Sequence, residues 1–130
     1  MHYKASIFCI VVLLVGLVGC GPTSATSQTF KTERHIVQLA LDGTGLGERV
    51  ATIDIKTLDN QPIADGDIVV APAMRQMAMS SPAVTAHQVA PGRYEARGEF
   101  FTMLGEWQLA VQVHTQAGQD MAMFNVRATP

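Results

Sequence analysis

Three methionines, Met74, Met77 and Met79, stand within six residues of one another, and a histidine, His87, follows eight residues later. Thioether sulfur is a soft neutral donor and imidazole a common partner, and that combination selects copper(I) over hard cations. The chain carries seven methionines, and all but Met1 lie beyond residue 70. Methionine is also flexible packing material that fills irregular gaps at the edge of a core, so from residue types alone both uses stay open. Arg75 and Gln76 stand inside the cluster, and a fixed cation beside a bound copper ion raises its electrostatic cost unless the side chain points away. Met103, Met121 and Met123 form a second soft set, suited either to metal or to docking a protein partner. His35 and His114 each stand alone and read as solvated side chains near strand ends.

Cys20 is the other residue with evident chemistry. Lys4 precedes an apolar run from Ile7 to Val18, the order of charge and hydrophobic core found in a secretory signal. That run is about a dozen residues, short of the roughly 20 needed to span a bilayer as a helix. It ends at Leu17-Val18-Gly19-Cys20, which resembles the bacterial lipobox. The resemblance implies a signal peptide over 1–19, cleavage after Gly19, a diacylglycerol on the Cys20 thiol and an acyl chain such as palmitate on its new amine. Residues 20–31 then read as the lipidated cysteine and a flexible tether, because Gly21 to Thr29 are small or polar without a hydrophobic period. The expected location is the cell envelope, lipid-anchored and facing outside the cytoplasm, the periplasm side of an outer membrane where there are two membranes, since Gly21 follows the cysteine. Cys9 leaves with the leader, so residues 32–130 must fold without an internal disulfide.

Charge and motif content exclude several function classes. Nine Lys or Arg and eleven Asp or Glu are interspersed and leave no basic face, so nucleic acid is not an expected partner. Catalysis is not expected either. The chain has no serine nucleophile elbow, no phosphate-cradling turn into a helix and no His-Glu-x-x-His helix. Asp42-Gly43-Thr44-Gly45-Leu46-Gly47 lies between two strand-like runs and reads as a hairpin loop, while Asp65-Gly66-Asp67 reads as a turn.

The elements that position these residues are strands. Val37 to Leu41, Ala51 to Lys56, Tyr94 to Phe100, Trp107 to Val113 and Ala122 to Val126 alternate apolar and polar residues. Ile68 to Ala71 is a shorter run that Pro72 is expected to interrupt, because proline cannot donate to a ladder. For the last two strands parity specifies the register. A loop at Thr115 to Gly118 pairs His114 with Gln119, Gln112 with Met121 and Ala110 with Met123, placing Trp107, Leu109 and Val111 on one face with Val126, Phe124 and Ala122. No helical period of ten residues occurs past residue 30. About a hundred residues make one domain. The expected fold is all-β, an immunoglobulin-like antiparallel β-sandwich of six to seven strands.

From Glu48 to Val126 the ordered motifs carry a family likeness. Asn60-Gln61-Pro62-Ile63, the methionine-rich segment, Pro91-Gly92-Arg93-Tyr94-Glu95-Ala96 and Phe101-Thr102-Met103-Leu104-Gly105-Glu106-Trp107 together resemble the YtkA-like domain, which is similar to FixH and to copper-resistance proteins of the CopC type. The resemblance implies an extracytoplasmic sandwich with a role in copper handling or in respiratory oxidase assembly. Copper(I) on Met74, Met77, Met79 and His87 is the metal site it implies. The alternative is a module without metal that docks on an envelope or respiratory complex. The family segment commonly reads Met-Pro-x-Met-x-Met, from which Arg75 and Gln76 depart.

Overall fold

A computed structural model describes residues 26–130. The leader over 1–19, Cys20 and the first part of the expected tether lie outside the described residues. Ten strands follow: β1 Thr26–Lys31, β2 His35–Leu41, β3 Arg49–Thr57, β4 Asp67–Met74, β5 Met79–Ser80, β6 Val84–Thr85, β7 His87–Ala90, β8 Arg93–Gly98, β9 Gly105–Thr115 and β10 Gly118–Ala128, with one 3-10 turn at Arg75–Met77. They make two antiparallel sheets, ordered β1-β2-β3-β8-β7 and β10-β9-β4-β5, with β6 also on the edge of β4. The expected all-β sandwich is the observed fold. Six of its seven strands of six or more residues are those expected from the sequence; the seventh, β1, was not expected, and β5, β6 and β7 are short additions at the open edges.

Alternation produces the core. Val37, Leu39 and Leu41 of β2, Ala51, Ile53 and Ile55 of β3, and Tyr94 and Ala96 of β8 face Ile68 and Val70 of β4, Leu109, Val111 and Val113 of β9, and Phe124 and Val126 of β10. The last hairpin has the expected register, with His114 opposite Gln119, Gln112 opposite Met121 and Ala110 opposite Met123. A one-residue slip would bury Gln108, Gln112 and Asn125 in place of Leu109, Val111 and Phe124, so the register is held by the whole face.

Two expectations are corrected. The tether does not extend to residue 31, because Thr26–Lys31 is a strand paired along its length with Ile36 to Leu41. It is polar because it is an edge strand, largely exposed, and its Gln28 side-chain Nε2 donates to the Asn125 backbone carbonyl of β10 at 2.8 Å. Nor does Pro72 interrupt its strand: β4 runs through it to Met74. The Pro72 carbonyl accepts from the Ser81 amide at 3.2 Å, so its nitrogen faces the same side. On that side the chain bulges between β6 and β5 and no donor is required.

Tyr94 ties a long loop to the core. Its hydroxyl donates to the Ile63 carbonyl at 2.7 Å and accepts from the Gly66 amide at 3.0 Å. Tyr94→Phe is expected to lower the unfolding free energy by about 1–3 kcal/mol, since two partly buried backbone groups lose their partner. Urea denaturation measures this, and an unchanged midpoint would mean that water replaces the hydroxyl.

Candidate functional site

The β4–β5 hairpin builds the first candidate site. Inward residues of β4 alternate as Ile68, Val70, Pro72 and Met74, so Met74 ends the strand inside the core at 4% exposure. Met79 of β5 is its direct cross-strand partner and therefore projects from the same face, but at the open edge it is 41% exposed. Met77 lies in the 3-10 turn between them and is 57% exposed. Ala78, the residue that closes the turn, takes a left-handed conformation with φ 51°. Met103 packs partly buried on the core, in the segment leading to Gly105, where an added Cβ would stand 3.1 Å from the Met74 methyl. The hairpin and that segment thus bring Met74, Met77, Met79 and Met103 to one end of the second sheet.

The cation inside the cluster is directed elsewhere. Arg75 and Gln76 line a shallow depression of about 360 Å³ on the outer face of the sheet, with Glu106, Trp107, Gln108 and Asn125. Its electrostatic objection to a metal on the inner face is correspondingly weakened.

His87 is not brought to the thioethers. It lies exposed on β7, opposite Glu95 in the other sheet. The preceding residue, Ala86, donates its amide to Ile68, six residues before Met74 along β4, which is about 20 Å at a strand's rise of roughly 3.3 Å per residue. The second soft set is also dispersed. Met121 and Met123 face outward on β10, whereas Met103 is at the far end of that strand, where Ala128 pairs with Gly105. Among the described residues no three His, Cys, Asp or Glu side chains gather into a metal-binding group.

A second feature escaped the sequence reading. His35 is 1% exposed rather than solvated. Its Nδ1 lies 2.6 Å from Asp120 Oδ2, and its Nε2 lies 3.4 Å from Thr115 Oγ1. The Thr32 hydroxyl donates to the same Asp120 oxygen at 2.6 Å and accepts from the His35 amide at 2.8 Å, while Arg34 Nη1 donates to Asp120 Oδ1 at 3.3 Å. Burial pushes the Asp120 carboxyl upward, but the hydrogen bonds of Thr32 and His35 and the charges of His35 and Arg34 outweigh it, leaving a net value below the usual one. The network joins both sheets and floors a cleft of about 610 Å³ whose walls include Glu33, Arg34, Asp67, Gln112, His114 and Met121. Only Thr32, three residues before His35, and the Asp at the start of the last strand hinted at it.

The two sequence motifs turn out to position loops. Gly92 adopts φ 74° at the turn before β8, and its carbonyl accepts from Ile55 at 2.8 Å. Trp107 donates its Nε1 hydrogen to the Met103 carbonyl at 2.9 Å and stacks edge-on against Phe101 at 6.0 Å. The tryptophan therefore fixes the backbone of a methionine at the thioether end.

Comparison with known proteins agrees with this architecture. The sequence model described as YtkA-like matches residues 36–112. Among solved structures, a DUF4785 family protein from Legionella pneumophila is similar, with a TM-score of 0.50 at 11% identity, over 76% of this chain and 29% of that one. At that identity the likeness is one of fold, and this chain spans less than a third of the neighbour's length. No curated protein sequence matches the chain.

Proposed function

Because this chain belongs to the YtkA-like family, we propose that it is a membrane-anchored extracytoplasmic lipoprotein that binds or delivers copper(I) as cargo at the methionine end of its sandwich. The observation that carries the reading is the hairpin register: Met79 stands beside Met74, with Met77 in the turn between them. This donor set fits the ion, since neutral thioethers favour copper(I) and no hard carboxylate competes within the cluster. Met77 and Met79 are the accessible donors, Met74 closes the site from the core side, and Met103 flanks it. The fold provides no such role for His87, so the ligand set implied by the family resemblance shrinks to thioethers. The anchor is Cys20, and the domain is read as non-catalytic.

Copper(I) competition titration of the protein tests the reading. Met77→Leu/Met79→Leu is expected to weaken binding at least about tenfold, equivalent to roughly 1.4 kcal/mol, while His87→Ala leaves it unchanged. Equal affinity in the double variant rejects the site. A second reading, docking on an envelope or respiratory complex, draws support from the exposed Leu104 near the same methionines. Absence of copper(I) binding together with a specific crosslink from Met77 to one envelope protein would favour it.

A further inference from the structure

The loops at the two ends of the sandwich differ in how many exposed apolar side chains they carry. At one end lie the start of β1, the Asp42–Glu48 loop, the Phe100–Leu104 segment, the β4–β5 turn and the C-terminal residues. Their proximity is set by pairing: Thr26 opposes Leu41, Ala128 opposes Gly105, and Ala73 opposes Gln108, which brings the turn at Arg75–Met77 level with the start of β9. The Thr129 amide donates to the Thr44 carbonyl at 3.0 Å, closing the loop onto the C-terminal segment. This end exposes four large apolar side chains: Leu46, Met77, Met79 and Leu104, each between 41% and 57%. Leu46 is held there because Arg49 donates to the Gly45 and Leu46 carbonyls at 3.0 and 3.1 Å. The opposite end carries Lys31, Glu33, Arg34, Asp59, Asp65 and Gln116, and toward it the exposed apolar residues are spread over separate elements: Phe30 on β1, Leu58 after β3, Val89 on β7 and Met121 on the outer face of β10.

The chain enters the fold at the end where Leu46, Met77, Met79 and Leu104 are exposed, beside the Glu48–Arg97 and Glu106–Arg127 ion pairs. Only residues 21–25 separate Cys20 from Thr26, a reach of at most about 20 Å. We infer that this end of the sandwich lies against the bilayer, with Leu46, Leu104 and Met77 seated in the headgroup region. The inference rests on the anchor in the proposed function and goes beyond it, since a lipid on Cys20 alone would leave the domain free to present any face. Side chains of this kind embed about 5–10 Å into the boundary between headgroups and acyl chains. Three or four of them bind a membrane weakly when free. Held within about 20 Å of the surface, they act at a high effective concentration. The consequence for the thioethers is that they face the membrane, positioned for exchange with a membrane-embedded partner rather than a soluble one.

The test uses the lipoprotein purified from membranes and reconstituted into vesicles of phosphatidylethanolamine and phosphatidylglycerol. Single variants Leu46→Cys and Leu104→Cys report on one end, Leu58→Cys and Gln116→Cys on the other, each carrying the same fluorophore. Nitroxide-bearing lipids are expected to quench the first pair at least about threefold more than the second, as immersion at one end requires. Equal quenching at the two ends, or none at Leu46 and Leu104, overturns the inference. Quenching absent on vesicles but protection of Leu104 in native membranes would likewise overturn the bilayer and point to a protein as the occupant. The mass of the purified protein reads the anchor separately. If Cys20 carries no lipid, the anchor reading fails; coupling the Cys20 thiol to a maleimide lipid then supplies the attachment, and the same comparison between ends still decides.

Discussion

Asp120→Ala is expected to cost the domain about 3 kcal/mol, because it removes one member of a buried ion-pairing network and leaves the others desolvated. His35 is 1% exposed and has Asp120 at 2.6 Å, and Thr32 donates to the same oxygen. The figure is at the low end for a broken buried pair, since the carboxylate floors a cleft that admits water. Arg34 contributes less: its side chain is 47% exposed and its contact is 3.3 Å long, so Arg34→Ala is expected to be near neutral, within about 0.5 kcal/mol. Guanidinium denaturation of the two variants measures the contrast, and equal losses would show that the network is held by the surface cation instead.

The same carboxylate gives the stability a pH dependence of defined sign. Its folded value lies below the ordinary 3.8, so the folded state binds fewer protons than the unfolded chain near that pH. Its contribution is fully present above about 3.8 and is lost as pH falls through the lower folded value. Asp120→Asn is therefore expected to flatten the acid limb of the stability curve below about pH 4. An acid limb of undiminished steepness in this variant would assign acid unfolding to other carboxylates.

Gly92→Ala is expected to be as damaging, at about 3 kcal/mol, from the left-handed conformation and overpacking together. At φ 74° an added methyl would stand 2.6 Å from Pro62 Cβ and 3.0 Å from the Ile55 carbonyl. The obstructing atoms are a proline ring and backbone in a paired segment, so no flexible side chain can swing aside. A fall in Tm of roughly 15 °C corresponds to that loss in a domain of this size. Gly47→Ala supplies the control, because Gly47 has φ 87° but nothing within 4 Å of its Cβ position. It should lose only the conformational part, about 1 kcal/mol. Similar Tm values for the two variants would remove the packing argument.

Legibility from sequence followed burial. The β9–β10 register was readable because both strands alternate and only one pairing buries Trp107, Leu109, Val111 and Phe124 together. β1 was not, since an edge strand exposed on most positions shares its composition with a linker. Pro72 looks like a strand break in the sequence because nothing local marks which side of β4 carries the irregular edge. His35 misled for a different reason: its partner is 85 positions away, and a lone histidine shows nothing of a distant carboxylate. At the methionine end, ligand type was legible but proximity was not. Met74 and Met79 meet through a hairpin, Met103 joins them from the approach to β9, and His87 departs with a strand of the other sheet.

The contact between β1 and β10 places the beginning of the domain beside its last strand, through Gln28 on Asn125 and Phe30 edge-on to Phe124 at 6.2 Å. A chain made N-terminus first therefore cannot complete the contact between β1 and β10 until β10 has emerged. Until then β9 has one open flank and Phe30 has no partner, and the nascent domain presents unpaired strand edges to proteases and chaperones. Formation of that contact acts as a completeness check: a product cut short before Gly118 has no means of passing into the protected, long-lived state, however well its first sheet has formed.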